Sequence, residues 1–223
     1  MLDDAFWPAL WNLAVSVGTR PETLLAVWDY ESGLDPSAVN PSSNCIGLNQ
    51  TCPKPNGPGF PNDDPAAYAA ATASAQLAWI APQVVSAYHL NGGPFLSVAR
   101  YYQSNYLPTT LTTARGPRDV IAAAAGPYAR EYNANRILDA GADGAITLED
   151  LGRVLEQKAK TSTALRAAIA KAYEEKPTYA PAHWTGPALI FYEPSHGSTD
   201  RAGGGFLAAL FVTLGLAWMR RHA

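Results

Sequence analysis

The sequence has little charge, few cysteines and no excess of basic residues. Only 16% of the residues are charged, against roughly 25% in an average soluble chain. The 19 acidic residues outnumber the 16 basic ones, giving a net charge of -3. That balance provides no positive field to hold a polyanion, so we expect no nucleic-acid partner. The length of 223 residues excludes a large multidomain assembly and fits one main domain with an appendage.

The N-terminus lacks a basic cluster followed by an apolar run. Asp3 and Asp4 stand where a secretory signal is positively charged, so we expect the first residues to belong to the fold. The C-terminus differs, because residues 203–219 are uncharged and two arginines follow them. This pattern predicts a single transmembrane helix over 203–221, which would anchor the chain in a lipid membrane and keep its bulk outside the cytoplasm. A buried C-terminal helix is the alternative.

Cysteine is scarce, since only Cys45 and Cys52 occur, seven positions apart in a turn-rich stretch. The four histidines are scattered along the chain and none pairs with either cysteine in the sequence. A metal site on these two thiols is therefore disfavoured. The spacing favours a disulfide, with two free thiols as the alternative, and a disulfide would agree with an oxidising compartment.

Strand-like alternation is also missing, and helical spacing predicts an all-α fold. A capping box of Thr19 and Glu22 predicts the start of the second helix, which ends at Gly33. Turn residues dominate from Asp35 to Asp64. The predicted helices span 3–17, 19–33, 65–90, 94–106, 117–134, 147–159 and 161–175. The predicted organisation is a domain over 1–135, an accessory helical segment over 136–176, a linker over 177–202 and the membrane helix.

One acid lies on the apolar side of the second predicted helix. Leu24, Val27 and Trp28 precede Glu31 by seven, four and three residues, so the four side chains share a stripe. Burial would raise the pKa of the Glu31 carboxyl, which suits a general acid near neutral pH. Asp29 falls on the polar side. The alternative is that Glu31 reaches solvent at the helix end and has no chemical role.

The residues that follow Glu31 favour a particular function for this acid. Glu31 opens the string E-S-G-L-D-P-S-A-V-N-P, and I-G-L-N-Q follows at residues 46–50. This pattern resembles soluble lytic transglycosylases and goose-type lysozymes, over roughly residues 5–135. The resemblance implies a lysozyme-like helical domain with Glu31 as catalytic acid and base. Ser32 would neighbour it, and the cleft wall would contain Gly47, Leu48 and Gln50.

Two positions depart from the family pattern. Asn49 stands where family members often have Met or Phe, and we expect it to alter a sugar subsite without affecting the acid. Downstream, Ala99-Arg100-Tyr101-Tyr102-Gln103 resembles the family's Ala-Tyr-Asn segment. Either Tyr101 or Tyr102 would approach Glu31 and bind substrate. The usual Asn is missing in one register and replaced by Gln103 in the other.

The resemblance implies cleavage of the MurNAc–GlcNAc bond in peptidoglycan glycan strands. One Glu first protonates the leaving group and then lets the muramyl 6-hydroxyl close a 1,6-anhydro ring, with no cofactor required. If a loop acid such as Asp63 or Asp64 approached Glu31, the product would be that of a hydrolytic lysozyme. A catalytically inactive wall-binding module is the third hypothesis. The partners would be peptidoglycan, the membrane and other proteins of an envelope system or of a membrane-containing phage virion.

A second motif occurs at residues 139–150, which spell D-A-G-A-D-G-A-I-T-L-E-D. Asp139, Asp143 and Asp150 occupy positions one, five and twelve of an EF-hand-like calcium loop, but Gly141 removes the ligand at position three. One hypothesis is a weak structural calcium site. The other is an ion-free turn at Asp143-Gly144, followed by a helix that Thr147 and Asp150 cap.

Overall fold

The N-terminal half of the core comes from two helices. The computed structural model describes residues 1–192. In it, α1 spans Phe6–Ser16 and α2 spans Pro21–Ser32, and both bury a tryptophan completely. Helix α2 ends at Gly33, which has a left-handed φ of 67° that glycine adopts without steric cost. The predicted end of α2 is therefore confirmed.

The predicted start of α2 is wrong. Arg20 occupies the N-cap position and makes no side-chain capping bond. The Thr19 hydroxyl accepts instead from the backbone N–H of Phe95 at 3.0 Å, and Glu22 is fully buried with the Tyr173 hydroxyl donating to its carboxylate. Proline at the first helical position begins the helix without a capping box.

Five further predicted helices can be compared with the structure. Helix α3 (Pro65–Ala70) is separated from α4 (Ala73–Asn91) by a break at which the Thr72 hydroxyl accepts from Ala75 N–H and caps α4. Three others lie close to their predicted positions. They are α5 (Val98–Tyr106), α7 (Leu148–Thr161) and α8 (Thr163–Glu174).

The helix predicted over residues 117–134 does not form. Its first part is β1 (Val120–Ala123), which pairs antiparallel with β2 (Ala145–Thr147), and only its end is helical, as α6 (Ala129–Ala134). Gly126, whose φ is 122°, lies in the turn between β1 and α6. The alanine run favours a helix by itself, but Ile121 and Ile146 are both buried and place the run in a sheet. The fold is therefore largely α-helical, with a small sheet.

The segment predicted as accessory packs against the helices of the predicted domain. Helices α7 and α8 both contact α2, and α7 contacts α5. The Ser162 hydroxyl, which caps α8, donates to Asp29 Oδ1 at 2.8 Å. Asp29 is buried, so its predicted place on the polar side is wrong. Residues 136–176 thus belong to the same compact unit as residues 1–135.

Residues 177–192 also belong to this unit, although the sequence predicted a linker there. We call them the C-terminal strap. Trp184 of the strap is buried against Trp11, with ring centroids 6.2 Å apart. The strap backbone bonds to the helices: Ile190 C=O accepts from Val98 N–H at 2.7 Å, and Ala188 N–H donates to Glu22 at 2.8 Å. Proline-rich composition suggested a linker, but these contacts place the strap on the core.

The membrane prediction concerns residues 203–221, which lie outside the described residues, as does the end of the predicted linker. Within residues 1–192, none of the helices combines the length and the apolar character needed to cross a bilayer.

Candidate active site

Glu31 lies in the last turn of α2 and is half-buried. Leu24, Val27 and Trp28 on the same stripe are completely buried, as the periodicity predicted. Burial raises the pKa of the Glu31 carboxyl to about 7, against the opposing effect of a hydrogen bond from Asn105. A substantial fraction of this carboxyl is therefore protonated at neutral pH, which is the form that a general acid requires.

The loop after α2 folds back over the helix in a short hairpin-like turn. Ile46 pairs with both Val39 and Thr51, and Cys45 and Cys52 on either side form the disulfide that the spacing favoured. The turn between them contains Gly47 at a φ of 81° and Gln50 at a φ of 45°. A left-handed conformation at a residue other than glycine is uncommon and often occurs at functional sites.

Gln76 of α4 fastens this loop to the helices and was not predicted. Its side chain is completely buried. Its Oε1 accepts from Leu48 N–H at 3.0 Å, and its Nε2 donates to Pro36 C=O at 2.6 Å and Tyr68 C=O at 2.9 Å. The signal was the same as for Glu31, a polar residue on the apolar face of a predicted helix.

Six of the eight predicted substrate contacts are buried: Gly47, Leu48, Asn49, Tyr101, Tyr102 and Gln103. Leu48 is part of the hydrophobic core with no exposed surface. Gln103 is equally buried, because its amide donates to Thr110 Oγ1 and Ala114 C=O and accepts from Arg100. Neither side chain is accessible to a ligand in this structure. Ser32 and Gln50 remain partly exposed.

Asn49 is connected to the acid through a chain of hydrogen bonds. The Trp28 indole N–H donates to Asn49 Oδ1 at 3.0 Å, and Asn49 Nδ2 donates to Asn105 Oδ1 at 2.7 Å. Asn105 Nδ2 then donates to Glu31 Oε1 at 3.1 Å. We call Trp28, Asn49 and Asn105 the amide relay. Asn49 does not bond to Glu31 directly and is connected to it only through Asn105.

The sequence pattern did not predict Asn105, because the family segment places its asparagine directly after the tyrosine. Asn105 lies three and four residues after Tyr102 and Tyr101 in α5, which places it one helical turn along the same face. Its helical spacing from the two tyrosines is the sequence signal that indicates Asn105.

The phenols of Tyr30, Tyr101 and Tyr102 lie close enough to Glu31 to interact with its charge. Tyr30 and Tyr102 meet edge to face with centroids 5.2 Å apart, and Tyr102 stacks on Tyr106 at 6.5 Å. Burial raises the pKa of Tyr30 and of Tyr106 to about 12. Tyr101 and Tyr102 are both buried, and burial followed by lesser contributions, among them the Glu31 charge, raises the pKa of both phenols. These hydroxyls therefore stay protonated while Glu31 titrates.

Asp63 and Asp64, either of which would be the second catalytic group of a hydrolytic lysozyme, have other partners, and so has Asp35. Asp35 accepts from Ser37, Asp63 pairs with Lys54 at 3.4 Å, and Asp64 caps α3 by accepting from Ala67 N–H. Within the described chain, no carboxylate contributes to the raised pKa of Glu31.

The EF-hand-like loop has its acidic side chains bonded to its own backbone. Asp139 accepts from Asp143 N–H and Gly144 N–H, and Asp150 accepts from Gly141 N–H and closes a capping box with Thr147. The predicted cap of the following helix is confirmed. In residues 1–192 there is no group of three or more acidic, histidine or cysteine side chains arranged to hold a metal ion.

No family model, curated protein or solved structure matches this chain. Its function has to be inferred from the residues of the site.

Proposed function

We propose that this protein is a peptidoglycan lytic transglycosylase that cleaves the MurNAc–GlcNAc bond with Glu31. The observation that carries the proposal is the carboxyl of Glu31 itself. Burial brings its pKa to about 7 at the end of α2, with uncharged tyrosines around it and no second carboxylate contributing to that shift in the described chain. The sequence pattern from Glu31 to Gln50 supports the same family.

One carboxyl group suffices for the proposed reaction. Protonated Glu31 gives its proton to the glycosidic oxygen, and the bond from that oxygen to the anomeric carbon of MurNAc breaks. The Glu31 carboxylate then accepts the proton of the muramyl 6-hydroxyl, whose oxygen bonds to the same anomeric carbon. The proton on Glu31 is restored and no water is consumed. A pKa near neutrality suits a group that must both give and accept a proton in one cycle.

The half-buried rings of Tyr30 and Tyr106 have a supporting role in this proposal. Aromatic faces offer apolar surface to sugar rings, and uncharged phenols add no negative charge that would repel the carboxylate. Ser32, the next residue after Glu31, is partly exposed, and its hydroxyl donates to Trp28 C=O and keeps acceptor capacity.

We also propose that residues 203–221 anchor the enzyme in a membrane, with residues 1–192 outside the cytoplasm near peptidoglycan, in an envelope system or a membrane-containing virion. The uncharged run and its two arginines support this. The disulfide supports an oxidising compartment. Sedimentation with lipid vesicles tests the anchor: the full chain should cosediment, and a chain ending at residue 192 should stay in solution. Equal behaviour of the two chains would contradict it.

Product analysis tests the reaction. Purified peptidoglycan is treated with three proteins: the full chain, Glu31→Gln, and Glu174→Gln as a control at an exposed acid. The soluble products are then identified by mass spectrometry. We expect 1,6-anhydromuropeptides from the first and third proteins and none from the second. Reducing-end products would indicate a hydrolytic lysozyme. No release by any of the three would favour an inactive wall-binding module.

A further inference from the structure

The three side chains of the amide relay come from three different elements and form a chain of hydrogen bonds that ends at one oxygen of Glu31. Trp28 belongs to α2, Asn49 to the loop and Asn105 to α5. Trp28 and Glu31 are three residues apart on one face of α2. The chain of hydrogen bonds therefore begins and ends on α2. It connects Trp28 to Glu31 through the side chains of Asn49 and Asn105.

The direction of every hydrogen bond in this path follows from the chemistry of its first member. An indole N–H can only donate, so the oxygen of Asn49 has to face Trp28. The amide nitrogen of Asn49 must then face Asn105, whose oxygen accepts at 2.7 Å. The amide nitrogen of Asn105 is left to face Glu31. Asparagine orientation is normally ambiguous, but here the indole removes the ambiguity.

We propose that Trp28 and Asn49 are positioning residues for Glu31, which act through Asn105 by holding its N–H donor against Oε1 so that the exchanging proton resides on Oε2. An oxygen that already accepts a hydrogen bond is the carbonyl-like oxygen of a protonated carboxyl, and the other oxygen bears the proton. The role as a positioning device rests on the proposed function. The hydrogen-bond coupling itself does not.

Burial makes the relay effective. Trp28 has no exposed surface and Asn49 is only 9% exposed, so water has little access to replace a lost partner. The Trp28 N–H also lies beside the Tyr101 hydroxyl. The titratable groups that interact with Glu31 are the phenols of Tyr30, Tyr101 and Tyr102, which remain neutral while Glu31 titrates. The donor from Asn105 is thus the local feature that favours the carboxylate.

A double-mutant cycle tests whether Asn49 acts through Asn105. The full chain, Asn49→Leu, Asn105→Leu and the double variant are labelled with ¹³C at glutamate carboxyls, and Glu31→Gln assigns the Glu31 signal. Loss of the donor disfavours the carboxylate, so we expect each single substitution to raise the pKa of Glu31 by at least half a unit. In the Asn105→Leu background, Asn49→Leu should add nothing.

Two outcomes would overturn the relay. One is an Asn49→Leu variant with an unchanged Glu31 titration, and the other is an equal shift in both backgrounds. Because the titration needs no substrate, it is independent of whether peptidoglycan is cleaved. If activity is found, its pH profile should move by the same amount as the carboxyl titration.

A measurement on the unsubstituted chain covers the case in which a variant does not fold. The ¹⁵N side-chain signals of Asn105, Asn49 and Trp28 are followed through the titration of Glu31. We expect all three to shift with one midpoint and with amplitudes that decrease from Asn105 to Trp28. Signals of Asn49 and Trp28 that stay constant would contradict the coupling.

Discussion

At the scale of single residues, Glu31 combines a chemical role with a cost to the fold. The burial that raises its pKa acts on the charged form, which loses contact with water when α2 packs. The pKa rises from the model-compound value of 4.5 to about 7 in the folded chain. The folded state therefore binds more protons than the unfolded state between these values, and stability falls as the pH rises through them.

Glu31→Gln should thus stabilise the protein in a pH-dependent way. Glutamine keeps an oxygen for the Asn105 donor and carries no charge. We expect the free energy of unfolding to rise by about 2 kcal/mol at pH 8 and to change little at pH 4, because one pKa unit corresponds to about 1.4 kcal/mol and Glu31 is partly exposed. Urea denaturation at both pH values measures this, with Glu174→Gln as control. A gain of equal size at both pH values would contradict the buried charge as its cause.

The cleavage rate should also follow the protonation of Glu31. Since the first step needs the protonated acid, we expect kcat/KM to fall by about tenfold per pH unit above about pH 7. Release of muropeptides from peptidoglycan, measured between pH 5 and 9, gives this profile. A rate that keeps rising to pH 9 would argue against Glu31 as the acid.

The residue-level prediction succeeded where the signal was local. Glu31 was found because an acid on an apolar stripe is visible within one helix. Asn105 and Gln76 act on groups far away in sequence, since Asn105 bonds to Glu31 across 74 positions and Gln76 to Pro36 across 40. No periodicity reports such a pairing, and the fold brings these residues together.

At the scale of elements, the loop between α2 and α3 is held by α4 and by a disulfide. Gln76 binds the loop backbone at Leu48 and Pro36, and Cys45 is joined to Cys52. Gly47 lies so close to Gln76 that a Cβ added to it would meet Oε1 at 2.3 Å. The close approach makes this glycine a requirement of the loop's attachment.

Gly47→Ala tests this attachment against Gly33→Ala. Both glycines have a left-handed φ, so both variants carry the backbone strain of about 1 kcal/mol, but a Cβ at Gly33 meets nothing within 4 Å. We expect Gly33→Ala to cost about 1 kcal/mol and Gly47→Ala about 3 kcal/mol, because Gln76 must move and lose buried hydrogen bonds. Chemical denaturation compares the two. Equal costs would mean that the loop tolerates the movement of Gln76.

Element predictions held where periodicity and end signals agreed. Helices α5, α7 and α8 lie near their predicted bounds, and Gly33 ends α2. The segment over 117–134 failed because alanine fits a helix by local preference, whereas its pairing with β2 is decided by distant residues.

At the scale of the whole molecule, the C-terminal strap completes the core. Trp184 packs on Trp11 and lies under the Arg20 guanidinium, 5.8 Å from the ring centroid. Glu22, which is fully buried, accepts hydrogen bonds from Tyr173 and from the strap backbone at Ala188. A chain cut at residue 176 would expose this surface, so activity tests need at least residues 1–192.

Trp184→Ala should therefore lower the free energy of unfolding of the whole compact unit. Removal of a buried tryptophan costs about 3–5 kcal/mol. Ile190→Ala is the matched control in the strap, because its side chain is half exposed and its bond to Val98 uses the backbone. We expect a cost below about 1 kcal/mol for the control. Thermal unfolding compares the two, and a small effect of Trp184→Ala would mean that the strap is not part of the cooperative unit.

The sequence by itself determined the largely helical class, most helix positions, the disulfide and the acid on the apolar stripe. Each of these depends on residues a few positions apart, whose spacing is set by helix or turn geometry. The tertiary structure alone decided the sheet, the docking of α7, α8 and the strap, and the partners of Gln76 and Asn105. Those contacts join residues distant in sequence, and their energy depends on burial that exists only after the chain has folded.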